Sequence, residues 1–372
     1  MKPKVHGLLL IIIFLGCLSC ESNSDQLLDT LIEDQNSDLN TDTSSLYFPG
    51  TAANDWETIS PESLDWNTNV QQDLIDFLQE KDTKAFLILK DGKIAMEEYF
   101  GTFQQDSLWY WASAGKTLTA FTVGIALEKQ LLDLSDKTSD YLGEGWTSAP
   151  PEKENMISVR NQLTMTSGLK DTAFDCVSPD CLEYEADADS RWAYHNGPYT
   201  LLESVVSEAA GTSFSAFFNT NLRDRIGMDG FWLSTNGLNN VYFSTARSMA
   251  RFGLLNLNNG MWNGTTILGD MEYISEMKNT SQELNKSYGY LWWLNGKESY
   301  MAPSLQLVFN GSLIPNAPAD TYAGLGKNDQ KLYVVPSKGL VIVRMGEDAA
   351  ENLLGPSSFD NALWEKIGNL IN

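Results

Sequence analysis

The stretch Trp111-Ala112-Ser113-Ala114-Gly115-Lys116 decides how this chain is expected to fold and act. Its serine and lysine are three residues apart at the predicted start of a helix, and such residues lie on one helical face with Cβ atoms roughly 5–6 Å apart. A serine hydroxyl that faces a lysine amine can become a nucleophile without a histidine, and a serine in the first turn also experiences the positive end of the helix dipole. The pair therefore predicts covalent acyl-transfer chemistry.

The spacing Ser-x-x-Lys is not specific by itself. It occurs three times, at Ser113/Lys116, Ser167/Lys170 and Ser275/Lys278. Ser167 lies in a turn-like Thr-Ser-Gly-Leu, which is a poor helix start, and Ser275 lies in a polar segment typical of a surface helix. Only Ser113 precedes a long apolar run with helical periodicity, which predicts a buried helix. The alternative interpretation of Ser113 is a helix N-cap, since serine satisfies free backbone amides there.

The N-terminus has the features of a targeting segment. Two lysines supply positive charge near its start, and residues 7–18 form an apolar stretch too short to span a membrane permanently. Its end, Leu18-Ser19-Cys20, resembles a bacterial lipoprotein signal with cleavage before Cys20 and lipid attached to that cysteine. The alternative is an ordinary signal peptide with an incidental cysteine. We predict a lipoprotein signal peptide over residues 1–19 and a chain held at the cell envelope, on its periplasmic side or at the cell surface.

Acidic residues dominate the segment that follows. Residues 20–45 contain no lysine or arginine, and such a composition cannot bury enough apolar surface to order itself, so we predict a disordered acidic tether. The whole chain carries a formal charge of −24, which argues against nucleic acid as a partner. An acidic chain also matches an anionic membrane surface poorly, so membrane attachment would depend on the lipid. The alternative interpretation of the acid excess is a well-solvated surface.

The cysteines fall into two pairs. Cys17 and Cys20 belong to the signal, and Cys176 and Cys181 have a spacing that can close a small disulfide loop in an oxidising compartment. A zinc site would need more ligands nearby, and His195 is the only histidine outside the signal. We therefore predict a disulfide between Cys176 and Cys181 and no metal or other cofactor, which also disfavours a metallohydrolase.

Residues 46–372 are expected to form one catalytic unit of the α+β class. Besides the helix after Ser113, helical patterns occur near 70–80, 198–210, 245–258 and 359–371. Strand patterns at 84–90 and 93–99 are joined by the hairpin turn signal Asp91-Gly92, and strand patterns return at 287–294, 331–335 and 340–345. An early hairpin, a helical middle and late antiparallel strands predict a layered fold whose sheet is discontinuous in sequence.

Five segments in order carry a resemblance to a known family. They are the Ser113–Lys116 helix, residues 157–169, Tyr194-His195-Asn196, residues 244–253 and Gly324-Leu325-Gly326. Together they resemble the serine β-lactamase/penicillin-binding-protein superfamily, in particular its branch of class C β-lactamases, D,D-peptidases, esterases and 6-aminohexanoate-oligomer hydrolases. The resemblance implies a β-lactamase/transpeptidase-like fold, with a central antiparallel sheet flanked by helices and an inserted, mainly helical region.

The resemblance implies roles for four residues. Ser113 would attack the carbonyl, Lys116 would keep its hydroxyl activated, and Tyr194 would carry the proton between nucleophile and leaving group. Asn196 would hold Lys116 and the amide or carbonyl of the substrate. A lysine in an apolar wall loses its proton more easily, and a neighbouring ammonium would bring the pKa of a tyrosine down from about 10 toward the working pH. The alternative for Tyr194 is a core tyrosine with a satisfied hydroxyl.

The same resemblance implies an oxyanion site. One donor would be the backbone N–H of Ser113. Aligning Gly324-Leu325-Gly326 with the third motif of the family places the second backbone N–H on Lys327, directly after Gly326. Two such donors aimed at the developing alkoxide would stabilise the transition state substantially. The alternative is that the glycines only let a strand pass close to a neighbour.

One departure from the family pattern bears on the substrate. The usual third motif begins with a lysine or histidine whose cation binds a substrate carboxylate, whereas Gly324 and Leu325 occupy its first two positions here. Lys327 could compensate only by turning inward. This favours a small-molecule ester, or an amide or peptide without that carboxylate, and a D,D-peptidase or β-lactamase stays open as an alternative, as does a penicillin-binding sensor without turnover. Met165 stands where relatives often carry histidine, which we interpret as structural variation.

Two further features bear on the site. Several aromatic residues could wall an apolar acyl or alcohol pocket, although at least half are expected to lie in the core: Trp109, Tyr110, Trp111, Trp192, Trp292 and Trp293. A Ser-His-Asp hydrolase would have to use His195, and no Gly-x-Ser-x-Gly motif presents a serine to it.

Overall fold

The computed structural model describes residues 46–52, 55–235, 239–350 and 355–372. The expected signal peptide over 1–19, the lipidation at Cys20 and the tether over 20–45 lie outside these residues. None of the helices within the described ranges combines the length and the apolar character that crossing a bilayer requires.

Helices fill the middle of the chain and also cover the sheet. The four helices expected outside the Ser113 segment are confirmed to within two residues at each end. The helices of the described chain are α1 (Gln71–Glu80), α2 (Lys116–Glu128), α3 (Thr138–Leu142), α4 (Pro151–Glu154), α5 (Val159–Thr164), α6 (Asn196–Ala210), α7 (Phe214–Phe218), α8 (Ala246–Leu257), α9 (Met271–Met277) and α10 (Ser358–Ile371).

The strands begin with the expected hairpin and end with the expected late strands. They are β1 (Thr83–Lys90), β2 (Lys93–Tyr99), β3 (Trp109–Tyr110), β4 (Phe231–Thr235), β5 (Asn239–Ser244), β6 (Met261–Trp262), β7 (Thr265–Thr266), β8 (Trp293–Leu294), β9 (Ser299–Met301), β10 (Val308–Asn310), β11 (Tyr322–Gly326), β12 (Gln330–Val335) and β13 (Leu340–Gly346).

A central antiparallel sheet joins the two ends of the described chain. Its strand order is β2-β1-β13-β12-β11-β8, so Leu87 of β1 is directly opposite Val343 of β13. The predicted discontinuity of the sheet is therefore confirmed. Asp91 and Gly92, which connect β1 to β2, both have positive φ, as the tight hairpin turns that match strand twist require.

Helices cover both faces of this sheet, as contacts of neighbouring residues of β12 reveal. A Cβ built on Gly253 of α8 would lie 2.9 Å from Leu332, whereas the ring of Tyr333 packs on Trp364 of α10 with centroids 5.4 Å apart. Because successive strand residues point to opposite faces, α8 and α10 lie on opposite sides. This double cover explains why β12 and β13 are buried along their whole length.

The inserted helical region lies between β2 and β8 in sequence. Its centre is α6, which contacts α2, α3, α5 and α7. A smaller antiparallel sheet with the order β3-β5-β4 lies next to the turn that precedes α2. The α+β architecture expected from the sequence is confirmed, and it places the start of α2 between the helical region and the central sheet.

The strand expected at 287–294 is wrong for most of its length. Only Trp293–Leu294 pairs with the sheet, and the preceding residues fold back on themselves. The N–H of Gly289 donates to the carbonyl of Trp292 at 2.9 Å, and Leu291 has a φ of +60°. The apolar run in the sequence reflects burial of aromatic side chains, which does not require an extended backbone.

A buried ion cluster ties β12 to the C-terminal helix. Lys331 is fully buried, with its Nζ 2.8 Å from the Oδ2 of Asp360 and 3.0 Å from the Oδ1 of Asp329. Ser357 donates a hydrogen bond of 2.6 Å to Asp329. Asp329 ends the turn between β11 and β12, so the cluster also fixes the backbone that follows the glycine-rich strand.

We expect Lys331→Ala to destabilise the fold by about 3–5 kcal/mol, because it leaves buried carboxylates without their counter-charge. Urea unfolding measures this loss as a drop in the free energy of unfolding. The matched control is Lys93→Ala, which removes an exposed ion pair with Glu57 and is expected to cost at most about 1 kcal/mol. Equal losses in the two variants would contradict a structural role for the buried cluster.

Candidate active site

Ser113 lies in a tight turn between β3 and α2. The turn is a 3-10 helix, Ala112–Gly115, that continues into α2, whose N-cap residue is Gly115. The N-cap interpretation of Ser113 is therefore wrong, because the serine precedes the cap and its hydroxyl is engaged by a lysine instead. Ala112 has a φ of +46°, a left-handed conformation that costs a non-glycine residue on the order of 1 kcal/mol. The turn thus presents Ser113 on a strained backbone, as functional residues often are.

Lys116 faces Ser113 as the spacing predicts. Its Nζ donates to the Oγ of Ser113 at 3.0 Å, and the lysine is only 2% exposed. Burial lowers the pKa of Lys116 to about 7, and the charge of Asp175 acts in the opposite direction. A substantial fraction of the amine is then neutral near pH 7, and a neutral amine can accept the proton of the serine hydroxyl.

The other two Ser-x-x-Lys pairs do not form this contact. The Nζ of Lys170 lies 3.3 Å from the carboxylate of Glu183, and that of Lys278 lies 2.6 Å from the side chain of Asn259. Ser275 is exposed on α9, as its polar surroundings indicate. Tertiary structure therefore separates Ser113 and Lys116 from two matches with the same spacing.

Two tyrosine rings form the wall around the amine. The Nζ of Lys116 lies 4.9 Å from the ring centroid of Tyr194 and 4.3 Å from that of Tyr199. Aromatic faces attract a cation, so the two rings hold the amine in place when it is protonated. Tyr199 was not expected from the sequence. Its signal was its position three residues after Asn196, on the same face of a helix.

Tyr194 lies beside the nucleophile as a neutral phenol. It is 1% exposed, and in the described part of the chain its hydroxyl makes no hydrogen bond of good geometry. Burial raises the pKa of Tyr194 above the ordinary value of about 10, and the side chain of Ser113 acts in the opposite direction. The expectation that a neighbouring ammonium lowers this pKa is therefore wrong, because the burial that deprotonates Lys116 also disfavours a phenolate.

Asn196 is the first residue of α6, and its side chain is nearly buried. Its Nδ2 donates to the Oδ1 of Asp175 at 2.6 Å, and no hydrogen bond joins it to Lys116. The implied contact between Asn196 and Lys116 is thus replaced by a contact with Asp175. The Oδ1 of Asn196 has no partner within the described ranges, so it can accept a hydrogen bond from a substrate N–H.

The glycine-rich strand β11 packs against the turn that carries Ser113. A Cβ built on Gly326 would lie 2.5 Å from the carbonyl oxygen of Trp111, and one built on Gly324 would lie 3.3 Å from that of Ala114. The close-packing interpretation of these glycines is correct. It also agrees with the oxyanion interpretation, because Lys327 directly follows Gly326, which packs on the nucleophile turn. The side chain of Lys327 is exposed, so it does not turn inward to supply the missing cation.

His195 does not take part in a catalytic triad in this structure. It precedes α6 and is 2% exposed, and no hydrogen bond joins its imidazole to a serine or carboxylate of the described chain. Burial lowers the pKa of His195 to about 4. Met165, which stands where relatives often carry histidine, accepts a contact from the backbone N–H of His195 at 3.5 Å.

Cys176 and Cys181 form a disulfide next to this site, with Cα atoms 6.2 Å apart. Asp175, which precedes Cys176, is a site residue that the sequence analysis missed, since an acidic residue before a cysteine carries no signal of its own. Most of the aromatic residues singled out from the sequence are core residues, as expected: Trp111, Trp192, Trp292 and Trp293.

Comparisons with known proteins agree with this geometry. The chain belongs to the Beta-lactamase family, whose model matches residues 74–353. It is 21% identical over 316 residues to the 6-aminohexanoate-dimer hydrolase of Paenarthrobacter ureafaciens. This match covers 73% of this chain and 74% of that protein.

Two solved structures share the fold. The putative β-lactamase from Bacteroides dorei has a TM-score of 0.65 at 17% identity, covering 82% of this chain and 99% of that chain. The hydrolase EstCE1, described as having promiscuous acyltransferase activity, has a TM-score of 0.58 at 13% identity, covering 83% of this chain and 99% of that chain.

The geometry predicts that a fluorophosphonate labels Ser113 at a rate that rises through about pH 7, because Lys116 must lose its proton before it can accept one. Lys116→Met is expected to lower the labelling rate by about 100-fold or more. Mass spectrometry after timed quenching measures both effects. The matched control is Lys170→Met, from a second Ser-x-x-Lys pair, which should label like the wild type. A labelling rate that rises near pH 4 would instead assign the base to His195.

Proposed function

We propose that this chain is a serine hydrolase that cleaves a carboxylic ester, or an amide without an adjacent carboxylate, through an acyl-enzyme on Ser113. The observation that carries the proposal is the 3.0 Å contact between the Oγ of Ser113 and the Nζ of a buried Lys116. The membership of the family and the named activities of its relatives support hydrolysis in general. The arrangement of Ser113, Lys116 and Tyr194 supports the mechanism.

The reaction begins with neutral Lys116, which accepts the hydroxyl proton as the Oγ of Ser113 bonds to the carbonyl carbon of the substrate. The carbonyl π pair moves to oxygen, and the backbone N–H groups of Ser113 and Lys327 stabilise that charge. When the tetrahedral intermediate collapses, the bond to the leaving group breaks and the leaving group takes a proton from Tyr194, which regains one from the Lys116 ammonium. The product of this half is an acyl-enzyme and a free alcohol or amine.

The second half repeats these steps with water. Neutral Lys116 takes a proton from water as its oxygen attacks the acyl carbon, and the same two N–H groups stabilise the new oxyanion. Collapse breaks the bond to the Oγ of Ser113, which recovers its proton through Lys116 or Tyr194. Because one amine and one phenol carry every proton, no histidine is needed.

The absence of a cation at the third motif supports esters over β-lactams and D,D-peptides. Gly324 and Leu325 occupy the first two positions of the motif, and the side chain of Lys327 is exposed. A substrate carboxylate therefore meets no cation from this motif. Its recognition would cost the desolvation of the carboxylate without a compensating partner.

A row of aromatic rings beside the proposed oxyanion site supports an apolar acyl group. Asn328, next to Lys327, donates to the hydroxyl of Tyr110 at 2.8 Å. From Tyr110 the row continues to Phe243 with ring centroids 6.1 Å apart, and then to Phe231 at 5.7 Å. Phe231 is 47% exposed, so an apolar substrate chain that covers the row would bury apolar surface of the substrate and of the ring.

We further propose that the chain acts at the bacterial cell envelope, anchored by lipid on Cys20 and separated from the membrane by the acidic segment over 20–45. The features of the N-terminal sequence support this proposal. The strongly acidic charge of the whole chain supports small molecules rather than nucleic acid as partners.

A substrate panel tests the proposed function. Wild-type protein is expected to hydrolyse p-nitrophenyl esters, with higher kcat/KM for butyrate than for acetate because a longer chain covers more of the aromatic row. Nitrocefin and a D-Ala-D-Ala peptide are expected to react at least about 100-fold more slowly. Ser113→Ala should abolish ester turnover, and Ser167→Ala, from a second Ser-x-x-Lys pair, is the control.

Full ester turnover by Ser113→Ala would overturn the mechanism. Faster turnover of nitrocefin or the D-Ala-D-Ala peptide than of esters would favour the β-lactamase or D,D-peptidase alternative. A stable penicillin adduct on Ser113 without turnover of any substrate would favour the sensor.

A further inference from the structure

Residues 174–176 contact Tyr194, which precedes α6, and the first two residues of α6, Asn196 and Gly197. The carbonyl of Phe174 accepts the backbone N–H of Asn196 at 3.1 Å, and its ring stacks on Tyr194 with centroids 6.1 Å apart. The Oδ1 of Asp175 accepts the Nδ2 of Asn196 at 2.6 Å. One short segment therefore touches two residues of the proposed catalytic site.

The third residue of this segment fixes its position. A Cβ built on Gly197 would lie 2.3 Å from the carbonyl oxygen of Cys176, so the segment packs as closely on α6 as a glycine allows. Cys176 is also joined to Cys181 by the disulfide, and its N–H donates to the carbonyl of Ala173 at 3.0 Å. A covalent link and a backbone turn thus constrain the residues on either side of Asp175.

We propose that Asp175 is a positioning residue for the reaction at Ser113, acting on Asn196 by its hydrogen bond and on Lys116 by its charge, and that the disulfide holds it in place. The proposal rests on the proposed serine hydrolase function. It assigns the Cys176–Cys181 loop a part in catalysis as well as in stability.

The hydrogen bond orients the side chain of Asn196. By accepting from Nδ2, the carboxylate leaves the Oδ1 of Asn196 without a partner among the described residues, directed away from the bonded side. Without Asp175 the amide could rotate and offer its N–H₂ group instead. The carboxylate therefore determines whether Asn196 presents an acceptor or a donor to a substrate.

The charge of Asp175 acts on the protonation of Lys116. The amine contacts Ser113 from its own turn and the rings of Tyr194 and Tyr199, and the charge of Asp175 acts on it from the disulfide loop. Burial dominates the lowered pKa of Lys116, and Asp175 partly opposes it. Glu203, one turn beyond Tyr199, is mostly neutral at pH 7, since burial raises its pKa to about 8. Because Asp175 is exposed to solvent, its effect on Lys116 is modest.

The test compares Asp175→Asn, which removes the charge but keeps an acceptor oxygen, and Asp175→Ala, which removes both, with Asp180→Asn in the same disulfide loop. The measurements are kcat and kcat/KM for p-nitrophenyl butyrate from pH 5 to 9. Asp175→Asn removes a charge that favours the ammonium form of Lys116, so the rising limb should move to lower pH by about 0.5 unit. Above the limb, kcat of Asp175→Ala should fall by about tenfold, because this variant also removes the acceptor that orients Asn196. Asp180→Asn should match the wild type in both quantities.

A limb in Asp175→Asn and a kcat in Asp175→Ala that both match the wild type would overturn the proposal. Its failure is separable from failure of the proposed function, because that function is tested by the substrate panel with the wild type and Ser113→Ala and does not depend on Asp175. The double variant Cys176→Ala/Cys181→Ala tests the disulfide, with its melting temperature measured to confirm that it is folded at the assay temperature. It should shift the limb in the same direction as Asp175→Asn. An unshifted limb in the folded double variant would overturn the role of the disulfide.

Discussion

The removal of one lysine amine from water is the constraint on which the rest of the site depends. Lys116 begins α2 between the central sheet and the helical region, and both sides bury it. A buried ammonium is costly, so its pKa falls to about 7 and the amine can act as a base. The same burial keeps Tyr194 neutral. The site therefore holds a neutral amine that can accept a proton and a neutral phenol that can donate one.

The fold provides this environment by joining distant parts of the sequence. The hairpin β1–β2 pairs with the late strand β13, and this pairing closes the central sheet around residues that come before and after the helical insertion. The glycines of β11 then allow the sheet to approach the Ser113 turn closely. The positive φ of Ala112 and the buried cluster around Lys331 belong to the same arrangement, because Ala112 directly precedes Ser113 and the cluster includes Asp329, which lies two residues after Lys327.

Much of the fold could be predicted because local patterns agree with the tertiary structure. The turn Asp91-Gly92 is a strong hairpin signal, and the apolar run after Lys116 has the periodicity of a buried helix. The pattern at 287–294 failed because an apolar, aromatic run indicates burial and not backbone conformation. Ser113, Lys116 and Tyr194 could be selected because their order along the chain matches a known family.

The environment of these residues could not be predicted from the same patterns. Asp175 and Tyr199 act through contacts that exist only after folding. The direction in which the pKa of Tyr194 shifts depends on whether burial or a neighbouring charge dominates. The hydrogen bond of Asn196 to Asp175 likewise depends on a loop that the disulfide closes against α6. Sequence order identifies the chemical groups, whereas desolvation sets their protonation.

The most direct test of this account is an NMR titration of Lys116 in protein labelled with ¹³C-lysine, with its signal assigned by loss in Lys116→Met. The account predicts that the Cε resonance of Lys116 titrates at about pH 7. Titration near the ordinary lysine value of about 10.4 would contradict it, because the amine would then be an ammonium throughout the working range and could not accept the proton of Ser113.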